Sequence, residues 1–131
     1  MIRKAKISDS QKVESLMKSV KDFWDDSWRE DVIRFGIKSS NGLSFVYEEN
    51  SNILGFICVH DLGFRGYLSE LIVAQRMQGK GIGKKLLRRV ESELKKNGCK
   101  VLISDVWENA KTFYENLGWG RPNVILLRKK L

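Results

Sequence analysis

Three glycines alternate with other residues in one short run, and this spacing suits phosphate binding. The run is Gln78-Gly79-Lys80-Gly81-Ile82-Gly83. It follows an apolar, strand-like stretch and opens a segment whose apolar residues recur at helical spacing. Helix N-termini leave N–H groups unpaired and carry partial positive charge, and glycine has no Cβ atom to keep a phosphate away. The run therefore predicts a cradle for a pyrophosphate group.

Two common nucleotide-binding motifs do not fit this run. A P-loop needs glycine where Gln78 stands and serine or threonine where Lys85 stands. The dinucleotide fingerprint needs glycine at position 84, which is Lys84, and it opens a βαβ unit instead of coming late in the chain. Taken alone, the run thus indicates only a generic anion site.

The wider pattern resembles the GNAT family of N-acetyltransferases. In that family a strand of the form x-Leu-x-Val precedes a Gln/Arg-x-x-Gly-x-Gly/Ala loop, and an Ala-x-x-x-Tyr-Glu-x-Leu-Gly-Phe segment follows it. The matching segments are Glu70–Val73, Gln78–Gly83 and Ala110–Trp119, with tryptophan in place of the final phenylalanine. The opening Ile2–Ala5 and Asp9 also look like the start of the family. The resemblance spans essentially the whole chain, in the right order and spacing.

The resemblance implies that acetyl-CoA is the donor, that no metal takes part, and that the acetyl group moves directly to a primary amine in a ternary complex. Backbone N–H groups of residues 78–84 would hold the CoA pyrophosphate. Main-chain groups of Leu71 and Val73 would pair with the pantetheine arm like an added strand. The residues predicted to bind the cofactor are Leu71, Ile72, Val73, Gln78, Gly79, Lys80, Gly81, Ile82, Gly83, Lys84, Asn109 and Tyr114.

One position departs from the family pattern. Family members often carry asparagine seven residues before the tyrosine, where it contacts pantetheine, but this chain has Trp107. Asn109, two residues later, is the candidate substitute. Trp107 itself is left with three interpretations: it packs on the cofactor, lines the acceptor site or belongs to the core.

The resemblance also assigns catalytic roles. The backbone N–H of Val73 would polarise the thioester carbonyl, and Tyr114 would act as general acid toward the leaving thiolate, a role that suits a phenol. The alternative for Tyr114 is a core tyrosine. Glu70 is the first candidate for general base. Its rivals, all near strand ends, are His60, Asp61, Tyr67 and Asp105.

The acceptor site is expected in an acidic, aromatic segment. Residues 22–31 hold five acids against the single Arg29. In the family the two helices after the first strand usually line the acceptor site, and acids with indoles suit a cationic amine. The predicted contacts are Trp24, Asp25 and Trp28. The alternative is that the tryptophans pack inward while the acids face water.

The net charge of +8 leaves other functions open. Nine of the lysines and arginines lie between Arg76 and Lys100, which permits a basic nucleic-acid-binding domain, although its aromatic stacking surface is missing. An acyl-CoA-binding module without transferase activity is the other alternative. Two cysteines and one histidine lack the spacing of a metal site.

The element order needed to position these residues is β-α-α-β-β-β-α-β-α-β, which predicts an α/β domain. Helical regions are predicted over part of 8–20, over 21–37, after the glycine loop and over 110–117, and the last two strands over 100–106 and 124–129. The resemblance implies a mixed, mostly antiparallel sheet of about six to seven strands with about four helices, splayed at the strand ending Val73. We expect one cytoplasmic domain over 1–131, with no membrane segment, as a monomer or homodimer.

Overall fold

The computed structural model describes residues 1–131 and contains a five-stranded sheet whose spatial order follows the chain order. The strands are β1 (Ile2–Lys4), β2 (Ser44–Glu49), β3 (Asn52–Asp61), β4 (Gly66–Val73) and β5 (Leu102–Ile103). The first three pairings are antiparallel, and β4 pairs with β5 in parallel. The predicted mixed, mostly antiparallel sheet is confirmed.

Four α-helices cover the two faces of this sheet, as predicted. They are α1 (Ser10–Ser19), α2 (Val32–Ser39), α3 (Ile82–Lys96) and α4 (Lys111–Glu115). Short 3₁₀ turns precede three of them, at Ile7–Asp9, Gln75–Met77 and Glu108–Ala110. No helix has both the length and the apolar character needed to cross a lipid bilayer.

Alternation along the strands divides the core into two layers. On β2 and β3, Phe45 and Ile57 pack against α3 and α4, whereas Val46 and Phe56 pack against α1 and α2. The apolar stripe of α3 is buried because its spacing keeps these residues on one face. Its members are Ile82, Leu86, Leu87, Val90 and Leu94. Each fully buried aliphatic side chain contributes about 1.5–3 kcal/mol to folding, so α3 is firmly held.

The strand count predicted from the resemblance was wrong: the sheet has five strands, not six or seven. The predicted strand over 100–106 shortens to Leu102–Ile103 because the residues after Ile103 leave β4. The predicted strand over 124–129 forms no strand, and its residues are exposed. Its apolar composition favours a strand, but it does not pair with any strand of the sheet.

Two predicted helices are also shorter than expected. The region over 21–37 is helical only from Val32, because the residues before it form turns. Asp22 has a left-handed φ of 64°, and the Asp25 carboxylate accepts hydrogen bonds from the backbone and hydroxyl of Ser27. Such local side-chain bonds compete with helix formation. The region over 110–117 becomes a 3₁₀ turn followed by α4.

The N-terminal residues are fixed by one arginine. Arg3 on β1 donates to both carboxylate oxygens of the buried Asp9, at 2.8 and 2.9 Å, and to both oxygens of Glu48 on β2. Asp9 also accepts a hydrogen bond from the Lys6 backbone N–H. The Arg3 guanidinium lowers the pKa of Asp9 and of Glu48. This cluster joins β1, β2 and the start of α1.

Candidate active site

A cleft opens where the parallel strands β4 and β5 separate. The two strands pair only at Gly66 with Leu102 and at Tyr67 with Ile103. Past that point, β4 remains paired with β3 while the segment after β5 diverges and is tied to β4 by two side-chain hydrogen bonds. The Ser104 hydroxyl donates to the Leu68 carbonyl at 2.8 Å, and the Tyr67 hydroxyl donates to Asp105. The splay predicted at the strand ending Val73 is present, and it begins after Tyr67, well before the end of that strand.

A β-bulge decides which side chains face the cleft. Cys58 on β3 opposes Glu70, and the next residue, Val59, opposes Leu68, so Ser69 is an extra residue in β4. The Ser69 hydroxyl donates to the Cys58 carbonyl at 3.0 Å. Because side chains alternate along a strand, residues three apart normally face opposite ways. The extra residue puts Tyr67 on the same face as Glu70, the face covered by α1 and α2.

The backbone of β4 presents polar groups to the cleft at alternate residues. The Ala74 N–H donates to the Leu54 carbonyl of β3 at 2.8 Å, so Ala74 and Leu54 form a hydrogen-bonded pair of the antiparallel ladder. Leu71 and Val73 then sit at the non-hydrogen-bonded pairs, so their N–H and C=O groups point away from β3 and toward the cleft. Ile72 turns its backbone toward β3 and its buried side chain toward α1 and α2, so the structure does not bring it to the cleft.

The glycine loop forms the mouth of the cleft and is open to solvent. Gly79 and Gly81 have φ values of 79° and 84°, a left-handed conformation that favours glycine. Gly81 is the N-cap of α3, and no side chain caps that helix. The first-turn N–H groups, from Ile82 through Lys84, are therefore available to an anion. The geometry fits a pyrophosphate held by backbone N–H groups.

The loop is fixed by contacts at both of its ends. The Gln78 side-chain amide donates to the Val73 carbonyl at 3.1 Å and so holds the loop against the end of β4. A Cβ atom at Gly83 would lie 3.3 Å from the Phe113 ring of α4, so this glycine permits a close contact between α3 and α4. Phe113 was missed by the sequence analysis, and its position beside Tyr114 was the available signal. The Lys80 and Lys84 side chains are exposed and form no ion pair.

Tyr114 approaches the cleft from the side of α3 and α4. It is buried, and its ring packs edge-on against Phe113 and Trp119, with centroids 5.0 and 5.2 Å away. Burial, and then the nearby Glu70 carboxylate, raises the pKa of Tyr114 to about 12. Its phenol therefore keeps its proton throughout the physiological range.

Glu70 approaches the cleft from the opposite face. Burial, reinforced by the Asp105 carboxylate, raises the pKa of Glu70 to about 7. Tyr67 donates a hydrogen bond to Asp105, which joins β4 to the segment after β5. Burial and this hydrogen bond raise the pKa of Tyr67. Glu70 and Asp105 thus form a pair of neighbouring carboxylates, and neither takes part in an ion pair.

Two rivals for the role of base are engaged elsewhere. His60 lies opposite Tyr67 in the sheet, and its Nε2 lies 2.9 Å from the Ser39 hydroxyl of α2. Burial lowers the pKa of His60. The Asp61 carboxylate accepts from the Gly63 N–H at 2.9 Å and so closes the turn between β3 and β4. Asp61 therefore belongs to a turn and not to the cleft.

The predicted acceptor residues are only partly brought to the cleft. Trp24 and Trp28 are half-buried against the core of α1 and α2, and their ring centroids lie 5.2 Å apart. The Lys18 ammonium lies over the Trp24 ring. Asp25 is fully exposed, and hydrogen bonds from Ser27 lower its pKa. These positions match the alternative interpretation, with indoles packed inward and acids facing water.

Phe23 links this segment to the cleft, a contact that the sequence analysis missed. Its ring lies 6.0 Å from that of Trp107, which follows β5 and is about half exposed. Trp107 therefore lines the wall between the segment after β5 and the turns after α1, and it does not belong to the core. Asn109 is exposed in the turn before α4.

The chain is similar to known acetyltransferases. Glucosamine 6-phosphate N-acetyltransferase of Arabidopsis thaliana is 29% identical over 66 residues, which span half of this chain and 44% of that protein. Its crystal structure has a TM-score of 0.75 at 25% identity, covering 98% of this chain and 97% of that one. PaiA N-acetyltransferase from Thermoplasma acidophilum, solved in complex with coenzyme A, has a TM-score of 0.76 at 20% identity, covering 95% and 92%.

A family model covers most of the chain. The model of the acetyltransferase (GNAT) family matches residues 10–119, from the start of α1 to Trp119. This range includes the glycine loop, the cleft and both groups that approach it. The chain therefore belongs to the GNAT family of acetyltransferases.

Proposed function

We propose that this protein transfers the acetyl group of acetyl-CoA directly to a cationic primary amine. The observation that carries the proposal is the placement of Tyr114 and Glu70 on opposite sides of one cleft, whose mouth is a phosphate-binding loop. Acetyl-CoA supplies an activated thioester. Donor binding, polarisation of the thioester carbonyl and both proton transfers are assigned to residues of this chain.

The loop and β4 bind and orient the donor. N–H groups from Gln78 through Lys84 hold the pyrophosphate, and the inward-facing groups of Leu71 and Val73 pair with the pantetheine arm. The Val73 N–H donates to the thioester carbonyl and stabilises the negative charge that develops on its oxygen. Asn109 and Lys80 contact the cofactor from the rim. Such preorganised donors need no rearrangement during the reaction.

Glu70 and Tyr114 move the protons. An alkyl amine is protonated at neutral pH and cannot attack a carbonyl until it loses a proton. Glu70, with its pKa of about 7, takes that proton, since its raised pKa lies closer to that of the amine. Tyr114 donates its phenolic proton to the departing thiolate, and the phenol is recharged from solvent. Proton removal by Glu70 assists formation of the carbon–nitrogen bond, and proton donation by Tyr114 assists cleavage of the carbon–sulfur bond.

The carboxylate pair favours a cationic acceptor. Glu70 and Asp105 lie close together without a basic partner, so an ammonium group would relieve their mutual repulsion. Trp107 and Phe23 add aromatic surface at the same wall. A polyamine, an aminoglycoside-like amine, or a lysine or N-terminal amine of a peptide fits this chemistry. We assign Trp24, Asp25 and Trp28 to the outer rim of the acceptor site.

A thiol-release assay with a panel of amines tests the proposal. Spermidine, an aminoglycoside, a lysine-containing peptide and glucosamine 6-phosphate would each be mixed with acetyl-CoA and the protein. We expect free thiol and N-acetylated product with at least one cationic amine. The phosphorylated sugar is the acceptor named for the Arabidopsis relative, and the carboxylate pair disfavours its phosphate. Turnover of that sugar alone would overturn the proposed acceptor class.

Glu70→Gln tests the base, and Glu14→Gln is its matched control. Glu14 is a half-buried residue of α1, on the helix surface, and it pairs only with Lys18. We expect Glu70→Gln to lower kcat/KM by about 10²-fold or more, and Glu14→Gln to leave it unchanged. Acetyl-CoA binding without thiol release for any amine would instead identify a CoA-binding module that does not catalyse transfer.

A further inference from the structure

Tyr67 forms the one hydrogen bond that reaches the Asp105 carboxylate. Because of the extra residue in β4, Tyr67 lies on the same face of that strand as Glu70. Its hydroxyl donates to Asp105, which lies two residues past the end of β5. The Asp105 carboxylate accepts no other hydrogen bond and takes part in no ion pair. The position of Asp105 near Glu70 therefore depends on Tyr67.

The backbone does not hold the Asp105 side chain at Glu70. The pairing of β4 with β5 ends at Tyr67 and Ile103, so Asp105 lies where the two strands have separated. The Ser104 hydroxyl bonds the backbone of β4 and does not restrain the side chain of the next residue. Asp105 is exposed, and two neighbouring carboxylates repel one another. Hydration and repulsion both favour rotation of Asp105 away from Glu70, and the Tyr67 hydroxyl opposes that rotation.

Asp105 is the one charged side chain that acts on Glu70. The other titratable groups around Glu70 are neutral at physiological pH, because burial raises the pKa of the thiol and the phenols and lowers the pKa of the imidazole. They are Cys58 and His60 of β3, Tyr67 of β4 and Tyr114 of α4. The side chains that α1 and α2 pack against this face of the sheet are apolar, and Glu70 forms no ion pair.

We propose that Tyr67 is the positioning residue of the candidate base: its hydroxyl holds the Asp105 carboxylate beside Glu70 and so determines how strongly Glu70 binds a proton. The negative charge of Asp105 favours the protonated form of Glu70. Glu70 binds a proton less strongly when Asp105 is free to turn away. The base role of Glu70 belongs to the proposed function, on which this proposal rests. Proton binding by Glu70 can be measured in the protein without substrates.

Carbon NMR titration of protein with isotope-labelled glutamate tests the proposal without acetyl-CoA or an amine. The Glu70 signal is the one that Glu70→Gln removes, and we expect a wild-type midpoint near 7. Tyr67→Phe keeps the half-buried ring and removes only the hydroxyl. We expect this variant to lower the midpoint by about half a pH unit or more. In protein that already carries Asp105→Asn, the same change should have no further effect.

Ser104→Ala is the matched control. It removes the other side-chain hydrogen bond between β4 and the segment after β5, and it leaves Tyr67 and Asp105 intact. We expect an unchanged Glu70 midpoint. The proposal is overturned if Tyr67→Phe leaves the midpoint in place, or if Ser104→Ala lowers it equally. An equal shift by Tyr67→Phe in the presence of Asp105→Asn would also overturn it, because the hydroxyl would then act on Glu70 by another route.

Kinetics separate a failure of this proposal from a failure of the proposed function. With an amine that the protein acetylates, the midpoint of kcat/KM against pH should move in Tyr67→Phe as the NMR midpoint does. Turnover with an unmoved midpoint would overturn the positioning role of Tyr67 alone. A lowered NMR midpoint without turnover of any amine would support the positioning role and overturn the proposed acetyl transfer.

Discussion

Two ionisable residues approach the cleft from opposite faces, in the protonation states that the proposed acetyl transfer requires. Burial acts in the same direction on both, since it penalises the charged form of a phenol and of a carboxyl group alike. Tyr114, with a pKa of about 12, remains a proton donor, while Glu70, with a pKa of about 7, is divided between its two forms at neutral pH. The same physical cause therefore suits Tyr114 to the proposed role of acid and Glu70 to the proposed role of base.

Tyr114→Phe separates proton donation from packing. The ring contacts with Phe113 and Trp119 stay, so we expect an unchanged thermal midpoint and an unchanged KM for acetyl-CoA. We expect kcat to fall about 10²-fold because the leaving thiolate loses its acid. Steady-state kinetics and a thermal melt check this prediction. Tyr47→Phe is the control: Tyr47 lies on β2, two strands away from β4, and its hydroxyl bonds only Glu49. Equal kcat in the two variants would contradict the acid role.

The pH dependence of activity reports on Glu70. We expect kcat/KM to rise with pH through a midpoint near 7, because only the carboxylate accepts a proton. Asp105→Asn removes the neighbouring negative charge and should move that midpoint to lower pH. A profile with the same midpoint in Glu70→Gln would assign the titration to another group.

Ionisation of Glu70 also affects the stability of the fold. Activity should rise with pH, whereas the stability that Glu70 contributes should fall. The pKa of Glu70 is raised from 4.5 to about 7 on folding, so its contribution is full below pH 4.5 and is lost as pH rises through 7. Glu70→Gln keeps the shape without the charge. We expect this variant to have a higher thermal midpoint than wild type at pH 8, and the difference to shrink at pH 5. Thermal melts at the two pH values measure it, and a constant difference would contradict the charge explanation.

At the scale of elements, the connection from β4 to α3 shapes the proposed donor site. Gly81 supplies the left-handed turn, and Gln78 fastens the loop to the end of β4. Backbone N–H groups carry most of the proposed phosphate contact, so substitutions of exposed lysines should matter less than a change in loop shape.

Gly81→Ala tests loop shape, with Gly63→Ala as its control. Both glycines have φ near 85–90° and no atom close to an added Cβ. Each alanine should therefore cost a similar free energy of unfolding, about 1 kcal/mol. Only Gly81→Ala should raise the KM for acetyl-CoA, by about tenfold, a loss of roughly 1.4 kcal/mol in binding. Denaturant unfolding and kinetics are the two measurements. A similar rise in KM for Gly63→Ala would show that global destabilisation is responsible.

Some elements were predictable from sequence and others were not, for identifiable reasons. The apolar stripe of α3 and the glycine turn before it depend on local spacing, and both formed as predicted. The extra residue Ser69 could not be predicted from the sequence, because it lies between the buried Leu68 and the half-buried Glu70 and a regular strand would place a polar residue there as readily. The turns after α1 arise from the side-chain hydrogen bonds of Asp25, which compete with the helical pattern of its apolar neighbours. Glu70 could be proposed as the base from its place on the strand before the glycine loop. Its proximity to Asp105 could not, because the two residues are brought together only by the tertiary fold.

At the scale of the whole molecule, the two sheet faces have separate tasks. In the proposed reaction, the face of α3 and α4 holds the donor loop and the candidate acid, and the face of α1 and α2 holds the candidate base and the proposed acceptor wall. At the N-terminus, Arg3 joins the start of α1 to the sheet, because it bonds Asp9 beside α1 and Glu48 on β2. The stability of this junction should be measurable.

Asp9→Ala should lower the free energy of unfolding by about 2 kcal/mol, because Asp9 is buried and binds the charged Arg3 at two atoms. Folding lowers the pKa of Asp9 below 3.8, so its contribution is present above that pH and is lost as pH falls through the lowered value. Denaturant titrations at pH 7 and near pH 3 would follow it. Asp26→Ala, at an exposed site, should change nothing. An equal effect of the two substitutions would contradict this role of the cluster.

The extra residue in β4 also decides where this strand can lose a residue. If Ser69 were deleted, the ladder would regain regular alternation, so Leu68 would stay in the core of α3 and Tyr67 would stay on the face of Glu70. Deletion of Leu68 would instead put Ser69 or Tyr67 into the core position that Leu68 leaves. We therefore expect the chain to tolerate the loss of one residue at Ser69 and not at Leu68.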